Sequence, residues 1–294
     1  LSDIVGKRAG QTFDILALKE LLNYMIYLCR NDAPQALVVP CLNKFDLVKE
    51  PVVVFKELSS LTGASFLLFT STCREPLVQS AFFLDQDKVL RPWLSAVILA
   101  AGMSTRMGRP KLLQELGGKK VLSYVLEAAL SSRVDEVIVV LPPGQEELLR
   151  LVQSYPVSLV VNNRFKEGQS TSMKAGLKAI SSYAQAALFL LGDQPLIKSS
   201  AIDQLISSYL KSFDALHYPV YRGKRGNPVL FDRRMFIELT RMQGDEGGRS
   251  LLQKYKNLCR PVPTECSGVI MDIDTPADLD AMRRSLPVMN KMEI

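Results

Sequence analysis

The sequence predicts an α/β protein: a mostly parallel sheet with helices on both faces, preceded by a small, partial α/β domain. Three observations carry this prediction. Short, continuous apolar runs alternate with amphipathic stretches in the βαβ manner, which is how strands covered on both faces read. The polar, proline-containing run DQDKVLRPW at 85–93 interrupts the chain just before the strongly apolar segment LSAVILAAG. The length, 294 residues, is enough for two domains of roughly 150 residues. We therefore divide the chain into domains at 1–88 and 94–288, with a linker near 84–93.

In the first domain, residues 15–28 (ILALKELLNYMIYL) have helical periodicity. A strand at 36–41 runs into Asn43-Lys44-Phe45-Asp46, and an apolar strand follows at 65–70. In the second domain the predicted strands are 94–100, 135–141, 157–162 and 186–192, with helical patterns at 119–132, 144–154 and 170–182 between them. Residues 214–231 then read as two strands joined by a Gly-rich basic turn, followed by helices at 232–241 and 247–256 and an extended stretch at 260–272. The last helix opens at Thr275-Pro276-Ala277-Asp278. Thr is a good N-cap, Pro suits the first helical position, and Asp two residues later meets the positive end of the helix.

Composition narrows the chemistry. Apolar residues are 47% and charged residues 22%, the balance of a globular chain. No apolar run approaches the roughly 18 residues that span a bilayer, so no membrane partner is expected. The opening LSDIVGKRAG has no initiator Met and no basic-then-apolar signal, and we read it as a fragment of a cytoplasmic chain. With His217 as the one histidine, a three-histidine zinc site is excluded, and its apolar setting ALHYPVY favours a structural role. Five cysteines, an odd number with no CxxC pair, read as buried free thiols. The net charge of +6 lies wholly beyond residue 93, because residues 1–93 are balanced. A polyanionic ligand fits that excess. No basic run interleaved with aromatics appears, so a small phosphorylated ligand is expected and nucleic acid is not.

The chemistry centres on Leu99-Ala100-Ala101-Gly102-Met103-Ser104-Thr105-Arg106-Met107-Gly108-Arg109-Pro110-Lys111, directly after the first strand of the βαβ unit. Open parallel sheets bind ligands at the C-terminal ends of their strands. Small residues let the backbone approach a phosphate chain and turn its N–H groups toward the oxygens. Ser104 adds a hydroxyl, Arg106 a forked cation, and Lys111 a point charge beside the reacting atom. The spacing is neither GxGxxG nor the P-loop. Asp193 ends an apolar strand, where a charge is costly unless a cation or a donor pairs with it. One or two carboxylates plus substrate phosphates are a usual Mg²⁺ arrangement. Asp274, before a helix start, is the candidate second ligand, although helix capping would also explain it. Asp272 competes for the role, and spacing alone does not choose between them. In Glu167-Gly168-Gln169-Ser170-Thr171-Ser172, Gly168 permits close approach, and Ser170 and Ser172 can donate to a base or a ribose or simply cap a helix.

The loop resembles the signature of nucleotidyltransferases with a sugar-nucleotide-synthetase fold, a Rossmann-like sheet of the nucleotide-diphospho-sugar transferase type. It is most similar to the molybdenum cofactor cytidylyltransferase family and its guanylyl-transferring relatives. The resemblance spans about residues 94–285 and continues in EGQSTSMKAGL, LGDQP, GKRGNPV and DIDTP. It implies that CMP passes from CTP to the terminal phosphate of molybdopterin with release of pyrophosphate, with Mg²⁺ on Asp193 and Asp274. Arg106, Lys111 and Asp193 would be catalytic. Leu99, Ala100, Ala101, Gly102, Ser104, Gly168, Ser170 and Ser172 would hold the nucleotide, and Lys224, Arg225, Gly226 and Asn227 would face the pterin and its phosphate. LAAG resembles the cytidylyl-transferring members, since Ala101 would crowd a purine where a glycine would not. A molybdenum hydroxylase is the implied recipient. Transfer to a sugar or polyol phosphate, or a non-catalytic molybdenum cofactor carrier, are the alternatives.

Asn43-Lys44-Phe45-Asp46 resembles the guanine-reading element of GTPases, but no Walker A motif lies upstream. With Gly6, Gly10 and the order of elements, residues 5–75 resemble the C-terminal half of a selenium-dependent molybdenum hydroxylase accessory protein family. A plain strand-end turn would also account for Lys44 and Asp46.

Overall fold

The computed structural model describes residues 41–43, 66–71, 78–84, 90–102, 107–108, 110–182, 184–245 and 247–289. The chain divides into two compact units at Trp93–Leu94, with Ser182–Gln185 grouped with the first. In the first unit, β1 (Cys41–Asn43), β2 (Phe66–Ser71), β3 (Val78–Leu84) and β4 (Leu90–Pro92) form one sheet in sequence order. β1 and β2 are parallel and the other pairs antiparallel. Part of the run expected to be a linker is therefore a strand, with Phe82 paired to Pro92 and Leu84 to Leu90. Its polar residues concealed a short strand that pairs with β3. The expected helix at 15–28 and residues Lys44–Asp46 lie outside the described residues.

The second unit is the mostly parallel, helix-covered sheet that the sequence predicts. β5 (Leu94–Leu99), β8 (Glu136–Leu141), β9 (Ser158–Val161) and β10 (Ala186–Leu191) run parallel in the order β9-β8-β5-β10. A hairpin, β6 (Glu115–Leu116) with β7 (Lys119–Lys120), intervenes in the chain. Beyond β10 the sheet turns antiparallel through β13 (Val229–Asp232) and β11 (Leu216–Tyr221), and it ends at the two-residue β12 (Lys224–Arg225). β14 (Cys259–Pro263) joins β11 in parallel, and the expected extended stretch then closes into a 3-10 turn at Ser267–Ile270.

Burial explains the unbroken apolar strands. Ala96 and Ile98 of β5, with Val139 and Leu141 of β8, pack into one core; Val97, Ile138 and Val140 pack into another on the opposite face. The first core is closed by α1 (Val121–Leu130), α2 (Glu146–Gln153), α4 (Ser199–Ser212) and α7 (Pro276–Met289). The second is closed by α3 (Gln169–Ala179), α5 (Phe236–Arg241) and α6 (Gly248–Lys254). The sequence reading does not include α4. Its buried residues Ala201, Ile202, Leu205, Ile206 and Tyr209 nevertheless keep a helical repeat. α3 lies close on the sheet because Gly176 has no side chain there: a Cβ would stand 2.3 Å from Val97 Cγ1. His217 is fully buried on β11, and its pKa is lowered to about 4, chiefly by burial, which fits the expected structural role. Of the expected free thiols, Cys266 is buried and Cys259 is half-buried. Among the described residues, no helix is long and apolar enough to cross a membrane.

Candidate active site

The chain runs from β5 to β8 and β9 on one side and then crosses to β10 on the other, so the crevice between the ends of β5 and β10 is the switch point at which such sheets bind ligands. Ala100, Ala101 and Gly102 continue β5 into it, and Gly192-Asp193 continue β10. The two exits are tied by the Gly192 amide donating to the Leu99 carbonyl at 3.0 Å. A cleft of about 270 Å³ opens here. Of the residues singled out in the sequence, Leu99, Ala100, Ala101, Gly102, Lys111, Gly168, Ser172 and Asp193 line it. Ser104 and Arg106 lie outside the described residues.

Lys111 begins a 3-10 turn anchored by buried Leu112 and Leu113. Its ammonium donates to Asp193 Oδ2 at 2.5 Å and to Asp274 Oδ1 at 3.0 Å. Burial opposes the lysine's charge, but the two carboxylates outweigh it and hold its pKa above the ordinary value. Asp193 is pushed up, chiefly by burial, with Lys111 opposing the shift and Asp272 adding to it. Both directions make sense because one lysine serves two carboxylates, while Asp193 Oδ1 is buried with no hydrogen-bond partner among the described residues. The Asp274 carboxylate is not the helix cap. Thr275 and Asp278 make the cap reciprocally: the Thr275 amide donates to Asp278 Oδ2 at 2.7 Å, and the Asp278 amide donates to Thr275 Oγ1 at 3.3 Å. The Ile273 amide donates to the Asp193 carbonyl at 2.9 Å, which brings the two acidic segments together. An unpartnered carboxylate oxygen beside a second carboxylate is a hard-oxygen donor set that fits a divalent cation. Among the described residues no three metal-ligating side chains cluster, so phosphate and water oxygens would complete such a site.

The opposite wall is built on the start of α3. Asn162, itself buried, donates through Nδ2 to Thr171 Oγ1 at 2.9 Å and to Ser172 Oγ at 3.0 Å. That leaves the Ser172 hydroxyl proton for a ligand. Gly168 has φ 108°, and a Cβ there would stand 2.2 Å from the Gly244 carbonyl carbon. Backbone therefore meets backbone, and the Ser170 amide donates to the Gly244 carbonyl at 3.1 Å. The structure places Ser170 away from the cleft: it is 1% exposed and its hydroxyl is buried without a partner. Lys224, Arg225, Gly226 and Asn227 are likewise absent from the cleft lining. Lys224 and Arg225 are exposed on β12. The Asn227 amide donates to the Val269 carbonyl at 2.8 Å, and Gly226 packs on the same residue. Conversely, Phe165, Lys166, Gln169 and Asp245 line the cleft without having been singled out in the sequence. For Asp245 the signal was available in the glycine-flanked Gly244-Asp245-Glu246-Gly247-Gly248 before a helix, the same kind of pattern as the loop after β5.

A small-residue strand exit, a lysine held on paired carboxylates and a hydroxyl-lined wall at a switch point define a nucleotidyltransferase-type site. Residues 96–258 match the MobA-like NTP transferase domain, and the chain belongs to that family. It is 34% identical over 204 residues to the purine catabolism protein PucB of Bacillus subtilis, covering 66% of this chain and 98% of the relative. Among solved structures, the Rv0371c homolog of Mycobacterium sp. strain JC1 superposes with a TM-score of 0.61 at 29% identity, covering 67% of this chain and 98% of the other. The manganese complex of Rv0371c from Mycobacterium tuberculosis superposes with a TM-score of 0.55 at 26% identity, covering 66% of this chain and 98% of that one.

Proposed function

We propose that the protein transfers CMP from CTP to the terminal phosphate of molybdopterin, releasing pyrophosphate, with Mg²⁺ held by Asp193 and Asp274. The observation that carries this reading is the position of Lys111, bridging both carboxylates at the mouth of the strand switch point. The acceptor's phosphate oxygen is already a nucleophile, so the reaction needs positioning and charge stabilisation rather than a general base. A divalent cation on the two carboxylates would supply charge neutralisation for the triphosphate. Lys111 presents a point charge to the transferred phosphoryl group, and Arg106 is its proposed companion. The strand exit Leu99–Gly102, with Ser104, holds the phosphates and base, while Gly168 and Ser172 form the facing wall. Ala101, 6% exposed in the cleft floor, supports a pyrimidine over a purine. A molybdenum hydroxylase in the same compartment, the cytoplasm, is the proposed recipient of the product.

Pyrophosphate release measured with each of the four nucleoside triphosphates and molybdopterin tests the reading. Release with CTP and molybdopterin together is expected. Release only with a sugar or polyol phosphate would move the acceptor, and binding of molybdopterin without release would make the protein a carrier. Lys111→Ala is expected to lower kcat far more than CTP affinity, and equal losses would remove Lys111 from the transition state.

A further inference from the structure

The cleft contains a group that triphosphate recognition does not use. Asp245 lines it from the loop entering α6, in the same cleft as Lys111 and Asp193. Its position is set by backbone: Gly244 is hydrogen-bonded to the Ser170 amide and lies against Gly168, and Gly247 packs on Gln169 Oε1. Asp245 is exposed in the cleft, and a carboxylate there repels phosphate unless a cation bridges the two; otherwise it accepts from N–H or O–H donors. Half-buried Phe165 stands in the same cleft with an aromatic face for stacking. Lys166 Nζ stands 6.0 Å from the ring centroid over one face, and an aromatic face and a carboxylate in one cleft suit a flat, amino-bearing heterocycle.

Hydrogen-bond chemistry narrows that class. Cytosine offers its amino group next to a ring nitrogen lone pair, so a carboxylate that accepts from the one confronts the other. An aminopyrimidinone edge offers a ring N–H and an amino N–H side by side, which match the two carboxylate oxygens as a bidentate pair. Pterin and guanine both carry that edge. We propose that Asp245, with Phe165 as the stacking face, recognises an aminopyrimidinone edge, the pterin of the acceptor being the source in a CTP-using enzyme. The inference rests on the transfer reading above for its substrate. It moves ring recognition from the 224–227 hairpin, which does not line the cleft, to the loop at 244–247.

The test uses the full chain and the variants Asp245→Asn and Phe165→Ala, each checked for an unchanged melting temperature. The probes are hydroxymethylpterin, followed by its fluorescence, and steady-state transfer from CTP or GTP to molybdopterin. Asp245→Asn is expected to weaken pterin binding and raise the acceptor KM about tenfold or more, the cost of a lost charge-assisted pair, with CTP KM unchanged. A GTP KM raised instead, with the acceptor KM unchanged, would support the same edge with guanine as its source. A raised CTP KM alone, or no change in any of these, would overturn the proposal. If the wild-type protein transfers no nucleotide but binds pterin in an Asp245-dependent way, the transfer reading fails and edge recognition stands.

Discussion

Lys111 stands where charges of opposite sign must balance before any ligand arrives. With its ammonium on both Asp193 and Asp274 it is a resident cation of the cluster, so an entering divalent ion competes with it. Removing the ammonium leaves two neighbouring carboxylates to be neutralised, and such pairs take up cations readily. Lys111→Met is therefore expected to bind Mn²⁺ more tightly without nucleotide, by about tenfold, as read by calorimetry; equal or weaker binding would show that the lysine does not guard the site. Gly168→Ala acts at the other wall. Its φ of 108° and the 2.2 Å approach to Gly244 leave no room for a methyl group, so the loop carrying Asp245 must move. A loss of about 1–3 kcal/mol in urea unfolding is expected, together with a raised acceptor KM. Lys111, Asp193 and Asp274 were legible in the sequence because a charge at the end of an apolar strand, or just after a Gly-rich loop, is unusual enough to single out. Asp245 carried a weaker signal, its glycine-flanked run before a helix, and the packing of that distant loop on the start of α3 is what brings it to the cleft.

The helices show which local signals carry information and which do not. α7 announces itself through its Thr275–Asp278 capping pair, whereas α4 begins after Lys198 without a side-chain cap and ends at Phe213 in the left-handed region, φ 51°, rather than at glycine. Its paired serines further dilute helix propensity, so tertiary burial of Ile202, Leu205 and Ile206 is what holds it. The edge where α4 meets β11 also holds the titratable group with a defined effect on stability. His217 Nε2 lies 3.2 Å from Ser212 Oγ, and the ring meets Tyr209 edge-on at 5.7 Å. Burial is the largest influence on its pKa and lowers it to about 4; Asp214 opposes that and Arg260 reinforces it. An unfolded histidine takes up its proton below its ordinary pKa near 6.5, while the folded one waits until about 4. The unfolded state therefore binds the extra proton in that window, and stability falls as the pH drops through it. Urea unfolding at pH 7 and pH 5 is expected to show about 2 kcal/mol less acid sensitivity in His217→Leu than in the wild-type protein. Identical pH dependence in the two proteins would contradict this.

At the scale of the whole chain, the parallel half of the second unit was readable because its strands are local, continuous and buried on both faces. The mixed edge was less so: β12 is two residues long, and β14 finds β11 by a long-range pairing, Leu216 with Cys259, that no local pattern encodes. The same contrast bears on autonomy. The described residues that line the cleft follow residue 93, the family match at 96–258 falls inside the second unit, and a relative covered to 98% of its length aligns with only 66% of this chain. Among the described residues, the buried members of both hydrophobic cores likewise run from Leu94 onward. A fragment of residues 92–294 keeps Trp93, whose carbonyl accepts from the Gln185 amide at 2.9 Å, and so preserves the backbone bond at the entry to β10. It is expected to unfold in one cooperative transition and to release pyrophosphate with a kcat within about twofold of the full chain, since domains with their own core fold alone. Cooperative folding with a large loss of turnover would mean that the first unit supplies part of the reaction, and failure to fold would mean that the two cores do not suffice.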